Sequence, residues 1–163
     1  MERVIAAMIR YDGGDPKRIH HFLKVHAFAR QIGLEEELDS STQFILETAA
    51  VVHDIGIRKA EEVYGSSAGI YQEELGPDIA DQLLTRLNWP RDVIDRVRHL
   101  VAHHHTYENV DGADYRILLE ADALVNLYEN NSPAEVQQHF YQTVFETESG
   151  KQLCRELYPA VCE

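Results

Sequence analysis

Residues 49–56, Ala-Ala-Val-Val-His-Asp-Ile-Gly, decide how this chain folds. The pair His53-Asp54 sits among Ile45, Ala49, Ala50, Val51, Val52 and Ile55. Apolar residues on nearly every face mark a buried helix rather than an amphipathic surface one. An imidazole and a carboxylate taken out of water there each cost several kcal/mol unless something pairs with them. The partner is either a hydrogen-bonded network or a cation.

Outward from this segment the period stays helical. Asp15-Pro16 reads as an N-cap followed by proline at the first helical position, and Gly33 is the expected end of that helix. Asp39 or Ser40 opens the helix that carries the His-Asp pair, and Gly56 closes it. A loop of small residues from Gly65 to Gly69 precedes a short helix around Tyr71 to Leu75. Gly76-Pro77 then opens another helix running to about Leu87. Pro90 begins the next, which ends in His103-His104-His105. The Asp111-Gly112 turn leads to a helix from Tyr115 to Tyr128, Ser132-Pro133 starts one more, and Gly150 sets off a last short segment. Nothing alternates with period two over a useful length, so the fold class is all-α, a single compact helical domain over residues 1–163.

The chain of 163 residues, 44% of them hydrophobic, is long enough to bury a core. A formal net charge of -13 with no basic run argues against a nucleic-acid polymer as partner. A small phosphorylated substrate is compatible with it, because a cation inside a pocket can outweigh a negative exterior. Cys154 and Cys162 are too few for a disulfide framework or a zinc ribbon, which points to a reducing, cytoplasmic setting. Met1 to Tyr11 carries Glu2, Arg3 and Arg10 and lacks a continuous apolar core, so no signal peptide is expected. No apolar run is long enough to span a bilayer, and no membrane partner is expected. None of these features encodes an oligomeric state.

At about 100° per residue, each histidine can be placed on its helix. Ile19, Phe22, Val25, Ala29 and Ile32 form the stripe of the first long helix. His20 points away from it, His21 lies at its edge, and His26 falls within it as a hydrogen-bonded core residue. Arg18 projects towards the same stripe, where a guanidinium needs an anion. In the helix from Pro90, Val93, Val97, Leu100 and His104 share a face, with His103 at its border. His20, His99, His105 and His139 read as surface or capping residues. Asp122 sits among Leu118, Leu119 and Val125, and a carboxylate there needs a partner. His21, His53, Asp54 and Asp122 thus aim inward, with His104 a fifth candidate. Two imidazoles and two carboxylates suit a divalent metal ion such as Mn, Fe, Ni, Co, Mg or Zn and leave coordination positions open. No thiolate belongs to the set, which argues against an iron-sulfur cluster or a structural Cys-zinc site.

The order His21, then His53-Asp54, then Asp122, all on helical segments, resembles the HD-domain superfamily of metal-dependent phosphohydrolases. Local sequences carry the likeness: His21 with Val25 and Ala29, the AAVVHDIG run, Ala102 to His105, and Leu119 to Ala123. It covers roughly residues 16–130, with helices over 133–158 expected to pack on that core. The resemblance implies His21, His53, Asp54 and Asp122 as ligands to one metal, and a metal-bound water that attacks phosphorus while the metal stabilises charge on a phosphoryl oxygen. Asp54 and Arg18 would then be catalytic, with Arg18 holding the phosphate and Arg58 or Lys59, just beyond the motif, able to reach it too. The implied substrate is a small phosphate ester, plausibly a nucleotide.

The chain also departs from the fuller family patterns. Two-metal members carry a further His where this chain has Gln72, while His103 and His104 resemble the paired His that helps hold the second metal. One tightly held metal is therefore expected, with a second site weak or empty. Ile57 follows Gly56 directly where a lysine is common, and it also stands where some nucleotidase members place an acidic residue. Glu73 and Glu74 are other candidate bases, both expected on a solvated face. Two alternatives stay open: a di-iron HD-fold oxygenase, which needs a fuller His set, and a non-catalytic ligand-binding HD domain.

Overall fold

The structure, a computed structural model, describes residues 1–162. Its helices are α1 (Glu2–Tyr11), α2 (Pro16–Glu35), α3 (Ser40–Val52), α4 (Ile57–Tyr64), α5 (Gly69–Arg86), α6 (Arg91–Val101), α7 (Ala113–Glu129), α8 (Ala134–Thr143) and α9 (Glu148–Leu157). A 3-10 turn, Pro159–Cys162, follows. Among the described residues there is no strand, as an all-α chain requires, and no helix long and apolar enough to cross a membrane.

The caps read from the sequence form. The Asp15 carboxylate accepts from the Arg18 N–H at 3.1 Å with Pro16 in the first turn of α2, and Asp39 accepts from the N–H groups of Ser41 and Thr42 at 2.9 and 3.1 Å at the start of α3. Several boundaries differ from expectation. Gly33 does not end α2, which runs on to Glu35. A Cβ at Gly33 would lie 2.2 Å from Oε1 of Gln43 and 3.0 Å from Leu46, so this glycine serves the close approach of α2 to α3 rather than a stop. Gly76-Pro77 does not open a helix either, since α5 is continuous from Gly69 to Arg86 with Pro77 inside it. Gly150 lies in the first turn of α9. The sequence reading had no separate place for α1 or α4, both of which are helical.

α3 ends at Val52, and residues 53–56 form a turn into α4, with Ile55 N–H bonded to Val52 O at 3.0 Å and Ile57 N–H to Asp54 O at 3.0 Å. His53 and Asp54 are therefore presented by a helix end. Gly56 makes that turn possible, because a Cβ there would lie 2.7 Å from the Gln72 carbonyl oxygen in α5.

α2 packs most extensively against α3 and α7, and α5 against α6. One apolar cluster runs through these contacts from Val4 in α1 to Val161 in the terminal turn. Fully buried Glu120 in α7 accepts from the N–H groups of Glu146 and Thr147 at 2.7 and 2.9 Å, which fixes the start of α9 on the core. Cys154 is buried in the core, while the expectation for Cys162 falls on a side chain outside the description.

Candidate metal centre

Three segments bring four side chains together. α2 passes side-on and turns in His21, the turn after α3 supplies His53 and Asp54, and the middle of α7 supplies Asp122. His21 and Asp122 are buried and His53 is inaccessible to solvent. His21 Nε2 lies 3.3 Å from His53 Nε2, 3.1 Å from Asp122 Oδ1 and 3.4 Å from Asp54 Oδ2. His53 Nε2 lies 3.5 Å from Asp54 Oδ2 and 3.6 Å from Asp122 Oδ1. A cation bound at about 2.1 Å to each donor would space neighbouring donors roughly 3.0 Å apart in an octahedron and roughly 3.4 Å in a tetrahedron. The observed edges run from 3.1 Å, inside that range, to 3.6 Å, slightly beyond it.

The other ring nitrogens show which atoms are offered. His21 Nδ1 faces Glu129 Oε2 at 3.0 Å, His53 Nδ1 faces Ala50 O at 2.9 Å, and His104 Nδ1 faces Val101 O at 2.7 Å. Each of those partners only accepts, so each Nδ1 carries a proton, and Nε2 is the atom that presents a lone pair whenever the ring is neutral. These lone pairs converge with carboxylate oxygens in a buried space. A set of acceptors facing one another is unfavourable unless protons or a metal ion join it, so the donor chemistry fits a divalent cation.

Ala50 and Val101 lie near the C-terminal ends of α3 and α6, where backbone carbonyls lack helical partners. The Nδ1–H bonds satisfy two such carbonyls and set two tautomers together. Both helices thus direct their negative ends at the site. Each contributes roughly 0.3–1 kcal/mol towards a cation, less than the several kcal/mol of desolvation per buried carboxylate. The helix dipoles therefore assist a cation but cannot replace it.

Charges within the cluster shift its titration accordingly. Burial pushes the His21 pKa down, but the Asp122 hydrogen bond and the charges of Asp54 and Asp122 outweigh it and hold the imidazole at about 9. Burial also opposes ionisation of Asp54 and Asp122, and the neighbouring imidazoles overcome it, keeping both carboxyls well below the usual carboxylate range. A bound metal ion must displace the protons that these carboxylates otherwise hold on the imidazoles.

A second group of donors adjoins the first. Asp54, His104 and His105 have ligand atoms within 4.8 Å of one another, with His104 Nε2 3.4 Å from Asp54 Oδ1. Gln72 donates its amide N–H to Ser67 O at 2.8 Å, which turns Oε1 towards His104 Nε2 at 3.3 Å. The Nε2 of His105 is buried and has no hydrogen-bond partner among the described residues. The sequence reading placed His105 on the surface and His103 at the site, and the structure exchanges them. His103 bonds His99 O at 2.7 Å and packs on the His99 ring, and it is not part of the Asp54, His104 and His105 donor group. Residues 102–105 form a turn beyond the end of α6, where helical angles no longer apply. Glu73 is no free base, since it accepts from His105 N–H and the Thr106 hydroxyl at 2.9 and 3.0 Å and holds this turn. Glu74 lies on the exposed face and accepts from Tyr64.

The first donor group opens into a cleft of about 290 Å³ whose walls include Arg18, Glu61, Ser67, Gln72, His105 and Asn126. Arg18 reaches its edge, where Nη2 lies 2.6 Å from Glu61 and Nε lies 3.3 Å from Asp15. The guanidinium thus has the anion its position called for. Arg58 and Lys59 do not line this cleft: Arg58 donates to Tyr11 O at 3.1 Å, and Lys59 pairs with Glu62 at 3.2 Å. His26 bonds Glu47 at 3.1 Å as expected of a core residue, and His20 is exposed. Glu129, absent from the sequence reading, is brought to His21 by the last turn of α7.

The HD-domain family profile matches residues 18–138. The chain is also similar to the crystal structure of a predicted HD superfamily hydrolase from an uncultured Thermotogales bacterium, with 22% sequence identity and a TM-score of 0.71 over 99% of this chain and 87% of the other. No curated protein matches.

Proposed function

Because the chain belongs to the HD-domain family, we propose that it is a metal-dependent hydrolase of a small phosphate ester, with nucleotides the favoured class. His21, His53, Asp54 and Asp122 would hold its divalent cation, one of Mn, Fe, Ni, Co, Mg or Zn. The observation that carries the proposal is the convergence of His21 Nε2 and His53 Nε2 with Asp54 and Asp122 while each Nδ1–H is committed elsewhere.

When bound, such a cation supplies Lewis acidity, lowering the pKa of a coordinated water and neutralising charge that develops on a phosphoryl oxygen. The chain's own residues determine what reaches it. The cleft of about 290 Å³ admits a small ester, and the net charge of -13 disfavours a nucleic-acid polymer. Arg18 waits at the edge, already ordered by Glu61 and Asp15. An incoming phosphate would take over guanidinium N–H groups from Glu61, whose side chain is 46% exposed and free to swing into solvent. Asn126 and Ser67 offer polar contacts to the rest of the ester. We place this chemistry in the cytoplasm, with no membrane partner.

The Asp54, His104 and His105 group supports a two-metal version, in which Asp54 would serve both sites and Gln72 would contribute a neutral oxygen. The neutral amide makes that second site the weaker one. The deciding experiment is elemental analysis of protein purified without chelator or metal-affinity resin, beside Asp54→Ala. About one transition metal per chain, lost in the variant, supports the hydrolase and directs a screen of phosphate esters. Two irons per chain with an O2-dependent product favour the oxygenase alternative. No metal after reconstitution refutes both and leaves a ligand-binding role.

A further inference from the structure

His53 and His104 are oriented by backbone carbonyls at helix ends, but His21 lies in the interior of a 20-residue helix, where nearby carbonyls are already bonded. Its orienting group must come from a side chain. Glu129 in α7 provides it, with Oε2 3.0 Å from His21 Nδ1 and only 14% of its side chain exposed. A second bond holds Glu129 in place, from Lys24 Nζ to Oε1 at 2.6 Å, and that ammonium lies 5.3 Å from the centroid of the Tyr128 ring. Lys24 is one helical turn beyond His21, so α2 supplies both the ring that Glu129 orients and the cation that anchors Glu129.

We propose that Glu129 is a positioning residue for the metal site: it fixes the Nδ1–H tautomer and ring plane of His21, so that Nε2 faces Asp122 and His53. The inference rests on the metal-site reading given above. An oriented imidazole needs no reorganisation when the metal arrives, and loss of an orienting carboxylate of this kind typically lowers metal affinity about 10–100-fold. Lys24 acts one step further away, by holding the carboxylate.

The test uses the full-length chain with zinc as probe. Zinc affinity is measured by competition with a chelator for the wild type, Glu129→Gln, Glu129→Leu and Lys24→Met, and the His21 ring nitrogens are followed by 15N NMR. Glu129→Leu is expected to lose about 10–100-fold in affinity together with the exchange-protected Nδ1–H signal of His21. Glu129→Gln, whose amide oxygen still accepts, should recover most of both, and Lys24→Met should show a smaller loss than Glu129→Leu. Circular dichroism checks that each variant is folded, and the conservative Gln variant keeps the test open if Leu is not tolerated. Unchanged zinc affinity and an unchanged His21 signal in Glu129→Leu would overturn the inference while leaving the metal site standing. Failure of the wild type to bind zinc would instead overturn the metal reading, and exchange protection of His21 Nδ1–H would still report separately on the Glu129 contact.

Discussion

Replacing Asp54 by Asn keeps the shape of the side chain and removes its charge. One carboxylate oxygen faces His21 and His53 at 3.4 and 3.5 Å, and the other faces His104 at 3.4 Å. Four-ligand zinc sites bind with about 10–16 kcal/mol, or roughly 3 kcal/mol per ligand, so losing this one should weaken zinc binding by about two to three orders of magnitude. A second effect opposes the first. Asp54 helps hold His21 at about 9, so at pH 7 the wild type must expel a proton to bind metal, at a cost of up to about 100-fold in affinity. The variant has a less basic His21 and less of that cost. The deficit of Asp54→Asn should therefore be larger at pH 9, where proton competition has fallen to about twofold, and smaller at pH 7. Chelator competition at the two pH values measures this directly. Equal affinities of wild type and variant at pH 9 would remove Asp54 from the ligand set, and a deficit that grows towards pH 7 would show that the proton linkage has the wrong sign.

The remaining expectations concern the same scaffold. In chelator, the raised His21 pKa contributes stability that is present below about pH 6.5 and lost as pH rises through 9, on the order of 3 kcal/mol, so the urea midpoint should fall over that interval and zinc should restore it. Gly56→Ala places a Cβ 2.7 Å from backbone oxygen of Gln72 and should cost about 1–3 kcal/mol, read as a lower Tm. Glu120→Ala leaves the part-buried N–H groups of Glu146 and Thr147 without their acceptor and should cost about 1–3 kcal/mol, with hydrogen exchange accelerated first at the start of α9. His20→Ala should leave both metal content and Tm unchanged, and loss of metal there would mean that the wrong member of the His20-His21 pair has been assigned to the site.

His53-Asp54 was legible from its apolar surroundings although it lies in a turn, and two further site residues were legible because they lie on regular helix. His21 rather than His20, and Asp122 among leucines, follow from about 100° per residue, because α2 and α7 keep that angle through both positions. His105 was missed, and His103 was set at the border of the site face, because α6 stops at Val101 and a turn re-aims the next four side chains. Neither proline nor glycine marks that stop. Arg58 and Lys59 were placed near the phosphate by their distance along the chain from Asp54. α4 begins at Ile57 and carries them to a face shared with Glu62, so nearness in sequence did not become nearness in space. Gly33 and Gly76 look like helix stops by composition alone, since the neighbours that require a missing Cβ there come from other helices.

The unequal dependence of the three histidines follows from where each backbone ends. His53 and His104 each close a helix with the same Nδ1–H that leaves Nε2 free, so their orientation is maintained by whatever stabilises α3 and α6. Removing either ring should cost stability as well as a donor, because an orphaned C-terminal carbonyl is left in a buried position. His21 has no such role, because the α2 backbone is satisfied around it and a side chain, Glu129, takes its Nδ1–H. Substituting His21 should therefore remove metal with little loss of chelator-treated stability above pH 9, where its proton contributes little. His53→Ala should lower both together. The contrast between the two variants in metal content and urea midpoint separates a residue that serves only the site from one that the fold and the site share.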